Sequence, residues 1–312
     1  MTVLGEIPAD ALGFCQSHEH VCVSNDWMRK HFPGLVIDDT LLTLRELQAY
    51  KAAGGGALVD AQPGGAGRDA EILRLLSERS GVHIIASTGF HRMQFYPEGH
   101  WIFRWSEAEL AALFTVELTH GMFQGGDDGE PTQQTNIRAG QIKAALEAGP
   151  LDAQHEKLFS AAAQAGVQTG TPMMVHIEKG ADPLMLLDFL SERGVKPEKM
   201  IFCHMDRATD DLAAHTEVLD RNVNLEYDTI ARYKYHDDAA ELSIIGHGVE
   251  AGFGRQILAG LDVTRERLTA YGGSPGLCFI LKEFLPTMRK ADFSEETIDH
   301  IFRRNPAEIW SN

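Results

Sequence analysis

Residues 14–23 read FCQSHEHVCV, an apolar strand pattern interrupted by His18, Glu19 and His20. Alternate side chains of an extended strand share a face, so His18 and His20 point one way and Glu19 the other. Two imidazoles side by side suit a metal ion. Random placement of the 14 histidines among 312 residues would still give about 0.6 His-x-His pairs, so the rest of the chain must decide.

Outward from this stretch, short strand-like runs alternate with helical patterns. ALGFCQSH leads to TLLTLRELQAYKAAGG, a helix closed by glycine. GGALVDAQP leads to RDAEILRLLSERSG, and VHIIASTGF leads through a long loop to SEAELAALFTVELTHG. IRAGQIKAAL precedes DAQHEKLFSAAAQAGVQTG, TPMMVHIEKG precedes DPLMLLDFLSERG, and KMIFCHMD precedes DDLAAHTEVLDRN. VNLEYDTIA precedes AAELSIIGHGVEAGF, and RQILAGLDVTR precedes a helical tail ending in SEETIDHIFRRNPAEIW. Eight β-then-α units predict a parallel sheet closed as a single (β/α)8 TIM barrel, one domain spanning residues 1–312. A doubly wound open sheet is the rival, and the lack of GxGxxG after the first strand weakens it.

Composition narrows the partners. The formal net charge of −17 argues against nucleic acid and against an anionic membrane surface. It also makes any local cluster of Lys and Arg informative. Cys15, Cys22, Cys203 and Cys278 form no CxxC pair and are too sparse for a disulfide scaffold, so a reducing cytoplasm is expected. The first residues, MTVLGEIPADALG, lack the basic and apolar regions of a signal peptide, and no apolar run is long enough to cross a bilayer.

In a barrel, chemistry gathers at the C-terminal ends of the strands. The first strand ends in His18 and His20, the fourth in Lys143, the fifth in His176, the sixth in His204 and the eighth in Asp262. Singly, each has an ordinary reading: a rim histidine, a solvated lysine, a helix N-cap. Together on one rim they predict a metal site. Neutral imidazole and carboxylate suit zinc, manganese or similar divalent ions. Glu19, on the other face, is expected to be structural, packed or paired outside the lumen.

This set resembles the phosphotriesterase-like family of the amidohydrolase superfamily. The resemblance covers nearly the whole chain and includes LGFCQSHEHV, DAQPGGAGRD, ASTGFHRMQFYP, AGQIKAAL and GLDVTRERLTAYGGSPGL. It implies a binuclear centre at the C-terminal ends of the strands. His18, His20 and Asp262 would hold one divalent ion, and His176 and His204 a second. Lys143, carboxylated by carbon dioxide, would bridge them. Zinc is the first expectation, with manganese or cobalt as alternatives. A carbamate offers a lysine the two oxygens that an ammonium lacks, and forming it needs the neutral amine, which desolvation favours. Two metals sharing a hydroxide supply a nucleophile at neutral pH, with Asp262 carrying its proton toward the leaving group.

Substrate choice in barrels lies in the loops after the strands. Those loops carry His91, Arg92 and Tyr96, then Arg232, Lys234 and Tyr235, then Arg265 and Arg267. Some of these cations will be solvated or paired with local acids. A chain of net charge −17 that concentrates cations at the barrel mouth nevertheless fits an anionic small molecule. Some members of the family it resembles are lactonases, including ones acting on phosphorylated sugar lactones, and the cationic mouth favours that reading: the expected function is a lactonase for such a substrate, with Tyr96, Lys234 and Arg265 binding it. The alternative is a phosphotriesterase or acyl-lactone hydrolase for a neutral substrate, hinted at by Trp101, Phe103 and Trp105. A lesser alternative is a non-catalytic ligand-binding barrel. A homodimer is one assembly the sequence leaves open.

Overall fold

The computed structural model describes residues 1–127 and 129–311. Among them, eight parallel strands follow one another in chain order around one sheet. They are β1 (Cys15–Glu19), β2 (Ala57–Asp60), β3 (His83–Gly89), β4 (Gln141–Leu146), β5 (Met173–Ile177), β6 (Met200–Cys203), β7 (Asn224–Tyr227) and β8 (Ile257–Ala259). The helices between them are α1 (Thr40–Ala52), α2 (Ala70–Ser80), α3 (Glu107–Thr119), α4 (Ala153–Thr169), α5 (Pro183–Glu192), α6 (Leu212–Asp220) and α7 (Asp238–Glu250). Helical segments from Ile280 to Lys290 and from Glu295 to Trp310 close the chain. None of the described helices is long and apolar enough to cross a membrane.

The (β/α)8 barrel is nearly closed. β8 returns to β1 through Asp262 N–H to His18 O at 3.0 Å and Ser17 Oγ–H to Ala259 O at 2.9 Å. Gly260 permits this approach, because a Cβ there would stand 2.8 Å from His18 O. Gly89 plays the same part at β4, where a Cβ would meet Lys143 O at 2.0 Å. Both strand ends are thereby drawn in around the residues expected to hold metal.

Helix starts follow from the aspartates that end the preceding loops. Asp39, Asp69, Asp152, Asp182, Asp211 and Asp237 each accept a backbone N–H at the first turn of α1, α2, α4, α5, α6 and α7. Ser106 and Glu109 form a reciprocal capping box on α3. Much of the acidic excess therefore serves helix ends. Asp262 caps no helix, which removes its ordinary reading.

Two strand assignments change in detail. Lys143 is not at a strand end. It is the third of six residues in β4, fully buried, and paired in register with Gly89 and Met174. His176 stands two residues further along the same register, beside Ala145 and Cys203. The long lysine stem spans that difference, so its amine still reaches the rim. His20, His204 and Asp262 lie just beyond β1, β6 and β8 rather than on their last residues.

Candidate metal centre and its cavity

Six side chains from five strands converge where the sequence placed them. His20 Nε2 lies 3.3 Å from Asp262 Oδ1, and His18 Nε2 lies 3.8 Å from the same oxygen. Lys143 Nζ is 3.3 Å from His18 Nε2. The His18 and His204 rings are 4.8 Å apart, and the His176 and His204 rings 4.4 Å. Ligand atoms held 2.0–2.1 Å from a tetrahedral ion stand roughly 3.3 Å from one another. The His18, His20 and Asp262 donors, all within 4.8 Å of one another, therefore fit a single divalent cation.

Buried carboxylates orient these imidazoles. His18 Nδ1 lies 3.0 Å from both Glu226 Oε2 and Asp228 Oδ2. His204 Nδ1 lies 2.5 Å from Asp228 Oδ1, and the His204 backbone N–H reaches Asp228 Oδ2 at 3.2 Å. Each ring thus donates from Nδ1 and keeps the Nε2 lone pair for a ligand role. His176 is held the other way round, with Nε2 3.3 Å from Glu178 Oε2, which leaves Nδ1 for a metal. Burial pushes the imidazoles down, His18 to about 4 and His176 to about 3, and His204 well below its usual value. They are neutral at physiological pH, the form that binds metals.

Asp262 is poised differently. Burial opposes its charge, but Arg232 and the His20 and His18 imidazoles outweigh that and hold its carboxyl well below the usual range. Arg232 Nη2 is 2.9 Å from Asp262 Oδ2 and also donates to its carbonyl. Asp262 and His204 both adopt left-handed backbone, at φ +48° and +65°. Such strain at non-glycine residues persists only where surrounding contacts impose it, and it concentrates at functional sites. Here the contacts are visible. Glu19 is fully buried and accepts the N–H groups of Leu261 at 2.9 Å and Val263 at 3.0 Å, the two residues flanking Asp262.

Lys143 has no carboxylate partner among the described residues. Its amine neighbours are His18 Nε2 and, at 3.7 Å, Cys203 Sγ. An uncompensated buried ammonium is costly, whereas a carbamate turned toward cations is not. Burial raises the Cys203 thiol well above its usual value, and the thiol donates to Val175 O at 3.0 Å, so it remains a protonated bystander.

These groups open into a cavity of about 220 Å³. Val23, Met28, Leu35 and Phe95 form an apolar wall, and Arg92, Arg207 and Arg232 supply cations. Three residues expected to bind substrate do not line it. Tyr96 is buried, its hydroxyl accepting the His91 N–H at 2.7 Å. Lys234 is exposed and lies over the Tyr235 ring, and Arg265 is turned to Asp38 at 3.3 Å. Trp101 is also absent from the lining, with its indole N–H committed to Gly126 O at 2.7 Å, as are Phe103 and Trp105. In the opposite sense, Arg207 and Glu178 belong to the cavity and carried no expectation from the sequence, and His91, noted there only as a loop residue, joins them. Arg207 could have been found from HMDR, since a helix starting at His204 brings its third following residue back over the rim.

The sequence profile of the Phosphotriesterase family matches residues 1–310. A phospho-furanose lactonase of Mycoplasmopsis synoviae (strain 53) is 28% identical over 321 residues, covering 99% of this chain and 90% of that protein. An N-acetyltaurine hydrolase of Tetraodon nigroviridis is 30% identical over 348 residues, covering 98% of this chain and 96% of that one. The crystal structure of a lactonase from Listeria monocytogenes superposes with a TM-score of 0.90 at 25% identity, covering 99% of this chain and 98% of that one.

Proposed function

The chain belongs to the phosphotriesterase family, and from that premise we propose that it is a metal-dependent lactonase acting on a small sugar lactone that carries a phosphate. His18, His20 and Asp262 would hold one divalent cation, His176 and His204 a second, and Lys143 as its carbamate would join them. Zinc suits the imidazole-rich set. The bound cations would acidify a water molecule and polarise the lactone carbonyl.

The chain's own residues do the rest. Water adds to the carbonyl carbon, the ring C–O bond breaks, and the proton lost by the water ends on the departing alkoxide. Asp262 carries that proton. Its partner Arg232 keeps the carboxylate ionised until it is needed. Glu226, Asp228 and Glu178 hold the imidazoles in the tautomers that face the cavity.

One observation carries the reading: His18, His20, His176, His204 and Asp262 meet three guanidinium groups in a single compact cavity. At about 220 Å³ it is smaller than the roughly 300–1,000 Å³ typical of drug-sized ligands, which favours a compact metabolite over a long acyl chain. The similarity to N-acetyltaurine hydrolases supports a second reading, hydrolysis of a small N-acyl amide bearing a sulfonate. Both readings share a tetrahedral anion set apart from the scissile carbonyl. The alternative of a neutral phosphotriester or acyl lactone would draw on the Val23, Met28, Leu35 and Phe95 wall. A screen of metal-loaded protein decides among them. Phosphorylated γ-lactones should be the best substrates, and preference for neutral triesters or long-chain acyl lactones would overturn the reading.

A further inference from the structure

Three guanidinium groups face the cavity, and two of them are already matched. Arg92 Nη1 lies 2.7 Å from Glu178 Oε2, and Arg232 Nη2 lies 2.9 Å from Asp262 Oδ2. Arg207 differs. Its side chain is only 9% exposed, yet among the described residues it donates no hydrogen bond. Its one ion pair is with Glu178 Oε1 at 3.6 Å, and Glu178 already serves Arg92 and His176. The Nε of all three, Arg92, Arg207 and Arg232, is buried without a hydrogen-bond partner, so the difference lies in the terminal nitrogens. The guanidinium stands 5.3 Å from the centre of the Tyr235 ring, which also lines the cavity.

A guanidinium presents five donors in a fixed plane, and burying them unmet is costly. The Tyr235 ring restrains that plane and offers it a favourable face, but it accepts no conventional hydrogen bond there. Glu178 already stands 2.7 Å from Arg92 Nη1 and 3.3 Å from His176 Nε2, so its oxygens are engaged elsewhere. Arg207 is thus the cation of this cavity with the longest carboxylate contact, 3.6 Å against 2.7 Å for Arg92 and 2.9 Å for Arg232, and its terminal donors are open to a ligand. It also sits three residues after His204, which fixes its distance from the candidate metal centre through a single turn of helix.

We propose that Arg207 is the specificity anchor for the substrate's tetrahedral oxyanion, a phosphate or a sulfonate, with Tyr235 restraining its plane. The proposal rests on the hydrolase reading above and adds to it the residue that selects anionic substrates. Lys234, over the Tyr235 ring, and Arg265, turned to Asp38, do not line the cavity.

The test compares kcat/KM for a γ-lactone sugar phosphate with that for its unphosphorylated parent, in metal-loaded protein of measured metal content. Arg207→Gln should lower the ratio of the two on the order of tenfold to a hundredfold, the range of a charge-assisted contact. Arg207→Lys keeps the charge but not the fork, and should lower the ratio by less. A ratio that moves less than about threefold in both variants would overturn the proposal. Calorimetric titration of metal-free protein with inorganic phosphate reads the same contact without turnover. Binding weakened about tenfold or more by Arg207→Gln supports it, and equal binding refutes it. A wild-type protein that turns over neither lactone nor N-acetyltaurine would instead defeat the hydrolase reading, and the calorimetry would still decide the role of Arg207.

Discussion

Replacing Glu19 with alanine should damage both the fold and the proton carrier it never touches. Its carboxylate accepts the N–H groups of Leu261 and Val263, which bracket Asp262 in its left-handed conformation. Removing the acceptor leaves two buried donors unmet, each costing about 1–3 kcal/mol. Part of this is offset, because burial already penalises the Glu19 carboxylate and raises its pKa well above the usual value. A net loss of about 2–4 kcal/mol is expected from urea denaturation of metal-free protein. Asp262 would relax from its position beside His20, so kcat should fall at least about tenfold while KM changes little. Glu19→Gln, which can accept only one of the two N–H groups at a time, should fall between. A stability change below about 0.5 kcal/mol with kcat unchanged would refute the tether.

Other outcomes follow from the same geometry. Lys143→Ala should lose metal by elemental analysis and regain part of it with added short carboxylates, whereas a fully active Lys143→Arg would exclude the carbamate. Asp228→Asn should weaken metal affinity about 10–100-fold, read by competition with a chelator, because it replaces one of the two oxygens that accept from His18 and His204 with an NH2 donor. The fold should lose stability as pH drops from about 6.5 toward 4. His100, which caps the short helix Trp101–Arg104, is lowered by burial to about 4, so the unfolded chain takes up its proton first. Thermal melts of His100→Asn should flatten that slope.

The alternation of apolar strand and amphipathic helix made the barrel legible, because each strand is buried on both faces and each helix starts at a recognisable cap. The candidate metal ligands were legible for a related reason: a polar side chain after an apolar run has no packing purpose. The carboxylates behind them were harder to see. Glu226 and Asp228 sit in NLEYD, where two acids in a buried strand are the signal, but their partner His18 is more than 200 residues away. The expected substrate residues Tyr96, Lys234 and Arg265 fall outside the cavity lining, because a loop's sequence does not say which way its side chains turn. Arg265 is captured by Asp38, 227 positions distant in the chain, and Tyr96 by the backbone of its own loop. Arg207 was overlooked because a lone arginine in HMDR looks solvated until the helix turn brings it over the cavity.

Metal stoichiometry tests the central claim most directly. Protein stripped of metal and titrated with zinc should bind two ions per chain, and hydrolysis of a phosphorylated γ-lactone should rise in step with occupancy. Full lactone hydrolysis by protein shown to contain no metal would contradict the account.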